Sequence, residues 1–366
     1  MKKILFITNS LGFGGAEKML AFVAGGLCRR GHSVAVVNLN NVPEYANAYM
    51  QALEEGIALY SLKAPEGKNK NAYYIREIRK IAKECRADVL IGFTTYPNMY
   101  AKIVGTLLGV PSVMSERGDP AKTMGSNLKS RLSLAIINAS RGGVFQTEGA
   151  RDFYGKGLQK RGVVIPNPIF IKGEIPFVPY DKREKSVVSV GRLDNDQKRY
   201  DVMLDAFAIF SKKHPDYVLK LYGAGTDEAQ IRSWVRERGL DERVRFMGLT
   251  KQPMQDTCCD GMFLITSDYE GISNALLEAM AVGLPCVSTD HTPGGARLLI
   301  SNRENGLLAP VGDAQALADA MCAYAEDPAL AAKCGENAKA VTTRFAPDRI
   351  IDLWEEYVED IVEDAT

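Results

Sequence analysis

SDYEGISNALLEAMAVGLP, residues 267–285, reads as the end of a strand, a short loop carrying Glu270 and Gly271, and a helix opening near Ser273. Ser273 or Asn274 can cap that helix, whose first turn presents unpaired backbone N–H groups. Such a terminus carries about half a positive charge and suits phosphate. Glu278 lies four residues beyond Asn274 and shares its helix face. Gly283-Leu284-Pro285 stops the helix and hands the chain to the apolar strand 286–288. Two carboxylates thus bracket an anion pocket, a layout suited to holding hydroxyls beside a diphosphate.

Working outward, VGRLDNDQKRYDVMLDAF (190–207) follows an apolar strand, 187–190, and precedes a helix whose expected buried face is Met203, Leu204, Phe207 and Ile209-Phe210. Arg192 comes directly after Gly191, and Lys198 six residues later. An arginine forks onto phosphate oxygens, and a lysine supplies a mobile point charge. Strand 219–222 ends in the glycine turn Gly223-Ala-Gly225, and strand 244–247 ends in Met247-Gly248. Ser288–Gly295 and Asn305–Leu308 read as a turn-rich rim, in which His291 is a loop residue rather than a catalyst.

The first half opens with KILFIT running into Gly12-Phe-Gly-Gly15 and a helix from Ala16, the start of a Rossmann-like sheet. A dinucleotide fingerprint wants a third glycine where Glu17 stands, and strand 34–39 ends in asparagines rather than a ribose-binding acid. A nicotinamide dehydrogenase is therefore disfavoured. Strands at 87–93, 112–115 and 143–146 alternate with helices near 72–84, 97–108 and 126–138, a parallel doubly wound pattern. The first of these helices carries Arg76, Arg79, Lys80 and Lys83 on one stripe. The third spaces Leu128, Leu132 and Ile136 by four, with Lys122, Lys129 and Arg131 nearby. Such stripes are either solvated faces or docking surfaces for an anionic membrane. SERGDP (115–120) places Glu116, Arg117 and Asp119 past a strand's carboxyl end, where ligands collect in open α/β sheets; the alternative is a structural turn in which Arg117 pairs with Asp119.

Glu270 and Glu278 within YEGISNALLEAMAVGLPCVST resemble the paired-glutamate motif of the family 4 retaining glycosyltransferases. GGAEKML (14–20) resembles that family's first glycine loop, Arg192 and Lys198 its cation pair, and Val163–Pro168 its interdomain linker. The likeness spans essentially the whole chain, with the motifs in order. It implies a GT-B architecture: α/β, two Rossmann-like domains facing across a cleft. Residues 1–168 would take the acceptor, 169–345 the nucleotide sugar, and 346–366 would be a helix crossing back to the first domain. It further implies that Arg192 and Lys198 stabilise the leaving diphosphate, that Glu270 holds the transferred sugar and Glu278 the ribose. The backbone of Gly271, Ile272, Ser273 and Asn274 would receive the β-phosphate. Gly14, Gly15, Gly191, Gly223 and Met247 would border the donor, with Glu116, Arg117 and Asp119 toward the acceptor. SER-x-DP resembles a subgroup acting on polyprenyl-diphosphate-linked glycans, although the histidine common hereabouts in the family is missing.

Composition bounds the rest. The 366 residues suffice for two domains, and 46% apolar with 25% charged content is ordinary for a globular chain. Cysteines 28, 85, 258, 259, 286, 322 and 334 show no metal or disulfide spacing, consistent with reduced thiols in a cytosol. Lys2-Lys3 before a short apolar run mimics a signal peptide but reads as the first buried strand, and no run approaches the ~18 residues a membrane span needs. Asp194-Asn195-Asp196 lies inside the cation motif and is not read as a metal site, so neither metal nor cofactor is expected beyond a UDP-sugar co-substrate. Zero net charge conceals 23 Lys/Arg against 12 Asp/Glu in residues 1–170 and 22 against 33 thereafter. A basic first half suits a lipid surface or a phosphorylated acceptor, or the two halves attract each other. The expected location is the cytoplasm, at the inner face of the cell membrane. A nucleotide-sugar epimerase or phosphorylase, or a non-catalytic binding module, are the rival readings.

Overall fold

KILFIT becomes a strand because five consecutive apolar or β-branched residues can be buried on both faces, as a parallel sheet flanked by helices requires. In the structure, a computed structural model that describes residues 1–12, 15–40, 56–65, 69–171, 173–174 and 177–365, β1 (Lys3–Thr8) is buried from Ile4 onward. It is joined by β2 (Ser33–Asn38), β3 (Ala58–Ser61), β4 (Val89–Phe93), β5 (Ser112–Ser115), β6 (Gly142–Phe145) and β7 (Gly162–Val164). Among the described residues these form a parallel sheet in the order β3-β2-β1-β4-β5-β6-β7. A second parallel sheet follows: β8 (Ser186–Val190), β9 (Val218–Tyr222), β10 (Val244–Gly248), β11 (Met262–Ile265), β12 (Cys286–Thr289) and β13 (Leu307–Ala309), in the order β10-β9-β8-β11-β12-β13. Both orders reverse once, between β1 and β4 and between β8 and β11. At such a reversal adjacent loops leave in opposite directions and open a crevice at the strands' carboxyl ends.

The chain divides into two compact units, Met1–Asn167 with Asp348–Thr366, and Pro168–Pro347. The last helix, Pro347–Glu363, lays Ile350, Ile351, Trp354, Val358 and Ile361 into the core of the first unit. Trp354 stacks on Phe93 at 5.9 Å and 14°. Contact is close enough that a Cβ on Gly26 would lie 2.4 Å from the Ile351 side chain, which would have to shift to admit it. The helix's acidic face meets basic residues of the same unit: Arg30 pairs with Asp352 and, at 2.5 Å, with Glu355, while Lys2 reaches Glu363 at 3.1 Å.

These contacts correct the charge reading by halves. With the last helix counted where it packs, the first unit holds 24 Lys/Arg against 20 Asp/Glu, and most of its excess is met internally. Other expectations shift in detail. Ile209 is only half-buried, while Met203, Leu204, Phe207 and Phe210 fill the core. The rim at 305–308 contains the edge strand β13. In the helix Leu128–Asn138 the buried residues are Ser133 and Ile137, whereas Leu128 and Leu132 are 81% and 62% exposed.

Candidate active site

The reversal in the second sheet brings together the loops after β8 and β11. The β8 loop can lie close to its neighbour because two glycines remove side chains: a Cβ on Gly223, whose φ is +143°, would stand 1.8 Å from the Gly191 carbonyl, and one on Gly225 2.2 Å from that of Leu193. Gly191 N–H donates to Tyr222 O at 3.0 Å, and Leu193 N–H to Ala224 O at 3.1 Å. Gly223 N–H donates to Gly248 O at 2.8 Å, which ties in the tip of β10 and leaves Met247 exposed beside it.

The β8 loop is then laced to the β11 loop. Gln197 Nε2 donates to Tyr269 O at 3.0 Å, Asp268 N–H to Gln197 O at 3.0 Å, and Thr266 Oγ1 to Lys198 O at 2.8 Å. Arg199, held at φ +53°, donates from Nη1 to both Asp268 oxygens at 3.0 Å and grips Asp201 through Nε and Nη2 at 3.0 Å. This double fork pins the backbone on both sides of Lys198 and leaves its side chain directed at Glu270. Lys198 Nζ pairs with Glu270 Oε1, which also accepts from Ser267 Oγ at 2.8 Å. Arg192 stands outside that pair, 70% exposed, with Nη2 donating to Gln197 at 2.9 Å and lying 3.6 Å from the Asp194 carboxylate. Three residues beyond Glu270, buried Ser273 caps the helix Asn274–Ala281, its hydroxyl accepting from Leu276 N–H at 3.4 Å. Glu278 is half-buried one turn further on.

Electrostatically the centre is a buried carboxylate kept ionised. Burial pushes the Glu270 carboxyl upward, but Lys198, His291 and the Ser267 hydroxyl outweigh it and hold the group below the usual carboxylate range. His291 belongs to the same environment. Burial pushes its imidazole down, opposed by Glu270 and the Thr292 backbone and reinforced by Lys198, and the balance is a lowered value. His291 lies in a loop, as its sequence context implies, but is 1% exposed, with neither ring nitrogen in a well-formed hydrogen bond.

An ammonium, an exposed guanidinium and a helix N-terminus in one loop set can receive a diphosphate. The sequence thus placed Gly191, Arg192, Lys198, Gly223, Met247, Glu270, Gly271, Ile272, Ser273, Asn274 and Glu278 in elements that converge on one end of one sheet. The bracing set of Gln197, Arg199, Asp201, Ser267 and Asp268 carries no motif that marks it in the sequence. The contacts that cross from Gln197 and Arg199 to Tyr269 and Asp268 join residues 72 and 69 positions apart in the chain, and only the adjacency of Arg199 to Lys198 hints at them. Asp194 and Asp196 are engaged by Arg192 at 3.6 Å and by the Tyr269 hydroxyl at 3.3 Å.

The remaining candidates belong to the first unit. Gly14 lies outside the described residues, and Gly15 opens the helix Gly15–Arg29. Glu116 is buried, accepting from Tyr154 OH at 2.7 Å and from the N–H groups of Arg117 and Gly118 at 2.9 and 3.1 Å. Burial raises its carboxyl despite those donors. Arg117 does not pair with Asp119 as a structural turn would have it. Its Nε donates to Ser115 Oγ at 2.8 Å, its guanidinium lies 5.6 and 5.5 Å from the Phe93 and Trp354 rings, and Nη1 and Nη2 have no partner. Burial brings it down to about 9. Asp119 caps the turn Pro120–Thr123 by accepting from Ala121 N–H at 3.0 Å. This unit has a hollow of its own at the β1/β4 reversal, about 340 Å³, lined by Asn9, Thr94, Tyr96, Asn127, Lys129 and Ser130 among others.

Two doubly wound parallel sheets, one bearing a cation–carboxylate site beside a capped helix, define the GT-B class of glycosyltransferases. The chain belongs to the family 4 glycosyltransferases: the model for glycosyl transferases group 1 matches residues 173–341, and that for glycosyltransferase family 4 matches residues 13–171. It is 24% identical to an uncharacterized glycosyltransferase of Haemophilus influenzae, over 97% of this chain and 99% of that one. It is 26% identical to a Campylobacter jejuni N-acetylgalactosaminyltransferase named for a GalNAc-containing diNAcBac-PP-undecaprenol, over 97% of each. Among solved structures, Anabaena HepE in complex with UDP superposes with a TM-score of 0.82 at 20% identity, covering 98% of this chain and 100% of that one.

Proposed function

We propose that this glycosyltransferase moves a hexose or N-acetylhexosamine, with retention of anomeric configuration, from a UDP-sugar to a glycan or polyprenyl-diphosphate-linked acceptor of a cell-surface polysaccharide. The observation that carries this reading is the Lys198–Glu270 pair beside the Ser273 cap, at the reversal of the second sheet. The diphosphate would seat against the N-terminus of the helix Asn274–Ala281 and draw Lys198 to itself. Arg192, exposed and held only by Gln197 and Asp194, would swing onto the same oxygens. Glu270, released, would hold the sugar's hydroxyls and Glu278 the ribose. Charge developing on the leaving diphosphate would be met by the two side chains, with no metal required.

The acceptor would occupy the polar hollow of the first unit, near the short helix that Asp119 caps and whose Thr123 lines the hollow. Leu128, Leu132, Lys129 and Arg131 give that unit an apolar and basic surface suited to an anionic bilayer at the inner face of the cell membrane. None of the described helices is long and apolar enough to cross a membrane. The undecaprenol named for the Campylobacter relative and the UDP bound by HepE support this choice of substrates.

The test is product analysis. Purified protein is incubated with UDP-hexoses and UDP-N-acetylhexosamines, with and without an undecaprenyl-diphosphate-linked glycan. An α-linked product formed only when acceptor is present is expected. Interconversion of the donor without acceptor would establish an epimerase instead.

A further inference from the structure

His291 is one of three histidines in the chain, and its imidazole is enclosed, with neither nitrogen in a well-formed hydrogen bond and the Thr292 backbone beside it. A polar ring buried without a well-formed hydrogen bond or a charged partner of its own is poorly compensated, and a change of its charge state can alter that balance. Its surroundings show how. The next residue, Thr292, receives the Glu270 N–H through its carbonyl at 2.8 Å. The ring packs under the loop of Glu270 and Gly271: a Cβ on Gly295 would lie 1.7 Å from the Gly271 carbonyl and 3.3 Å from His291 Cε1. The charged groups acting on it are Glu270, Lys198 and, on its own segment, Asp290. Arg297 already meets Asp290, Nε to Oδ1 at 3.1 Å. The Lys198 ammonium therefore occupies Glu270 and disfavours a second positive charge beside it.

We propose that His291 is a positioning residue that replaces Lys198 as the counter-charge of Glu270 when the donor binds. This rests on the reading of Lys198 as a diphosphate ligand. As Lys198 turns to the diphosphate, Glu270 would be left as a buried carboxylate without a cation, which burial penalises. Removal of the ammonium also removes one of the two influences that oppose protonation of His291, burial being the larger, while Glu270 and the Thr292 backbone still favour it. One proton from solvent then binds an imidazole nitrogen, and the site keeps its charge balance: an ammonium leaves the carboxylate and an imidazolium takes its place. Glu270 stays ionised and oriented toward the sugar. Donor affinity should accordingly rise as pH falls across the interval between the free and bound values of His291, with a slope approaching one proton.

The test is calorimetry of UDP binding to the full chain near pH 7, in buffers of different ionisation enthalpy, with His291→Gln run in parallel so that UDP's own titration cancels. The expected result is up to one more proton taken up by the wild type than by the variant. Ring-proton NMR of the unmodified protein gives a second reading independent of the variant's folding: the His291 resonance should move to its imidazolium position on UDP addition. Lys198→Met should carry a protonated His291 before any UDP is added. UDP binding with equal proton counts and an unmoved His291 resonance overturns the proposal while leaving the donor reading intact. Absence of any UDP binding removes both.

Discussion

Arg192 projects into solvent with one hydrogen bond to Gln197, whereas Lys198 is held against Glu270. The two cations therefore contribute differently. Truncating Arg192 leaves no buried charge unpaired, so Arg192→Ala should fold normally and lose transfer by about 10²-fold, as removal of a charge-stabilising donor does. An unchanged kcat in steady-state transfer assays would remove the leaving-group role. Lys198→Met strips a buried carboxylate of its counter-charge, and both UDP affinity and turnover should fall. The glycine turn is a steric requirement: Gly223→Ala places a methyl 1.8 Å from the Gly191 carbonyl at φ +143°. That overlap should cost roughly 1–3 kcal/mol and displace Arg192, visible as weakened UDP binding by calorimetry.

At the level of elements, the helix Asn274–Ala281 is short enough that its cap matters. Ser273→Ala removes the acceptor for Leu276 N–H and should destabilise the second unit by about 1 kcal/mol, read by denaturant unfolding. Ser273→Asp, which retains a cap, should restore that loss but weaken UDP binding by setting a negative charge at the anion site. The last helix poses the other question, how an element joins a unit remote from it in sequence. Trp354 is fully buried against Phe93, and Trp354→Ala should cost about 3–5 kcal/mol in the first unit.

For the whole molecule, charge is managed within each unit. Burial pushes the Glu355 carboxyl upward, but His32 and Arg30 outweigh it and depress it below the usual 4.5. A carboxylate depressed on folding adds stability above its unfolded value and loses it as pH falls through the folded one. Acidification below about pH 4.5 should therefore lower the first unit's melting transition, and less steeply in Glu355→Gln, as scanning calorimetry would register. On the outside, Leu128 and Leu132 stand exposed beside Lys129 and Arg131. Replacing both leucines by serine should reduce sedimentation with phosphatidylglycerol vesicles and leave UDP binding untouched.

Much of this was legible in the chain because it depends on near neighbours. Alternating apolar runs and helical periodicity set out most strands of both sheets, and KILFIT, Gly191-Arg192, Lys198 and Glu270 through Glu278 stand in the elements their local pattern implies. Partner choice across long separations was not legible. Nothing in the order of residues says that Arg199 will fork onto Asp268, that Glu270 will hold Lys198, or that His291 will be buried in the field of both. The same is true of Leu128 and Leu132, whose spacing suits burial or exposure equally, and of the acidic last helix, whose charges are met only once it lies against Arg30 and Lys2. Backbone preference and periodicity act over a turn or a strand and are written locally. Burial and charge compensation depend on which surfaces meet, and only the folded chain decides that.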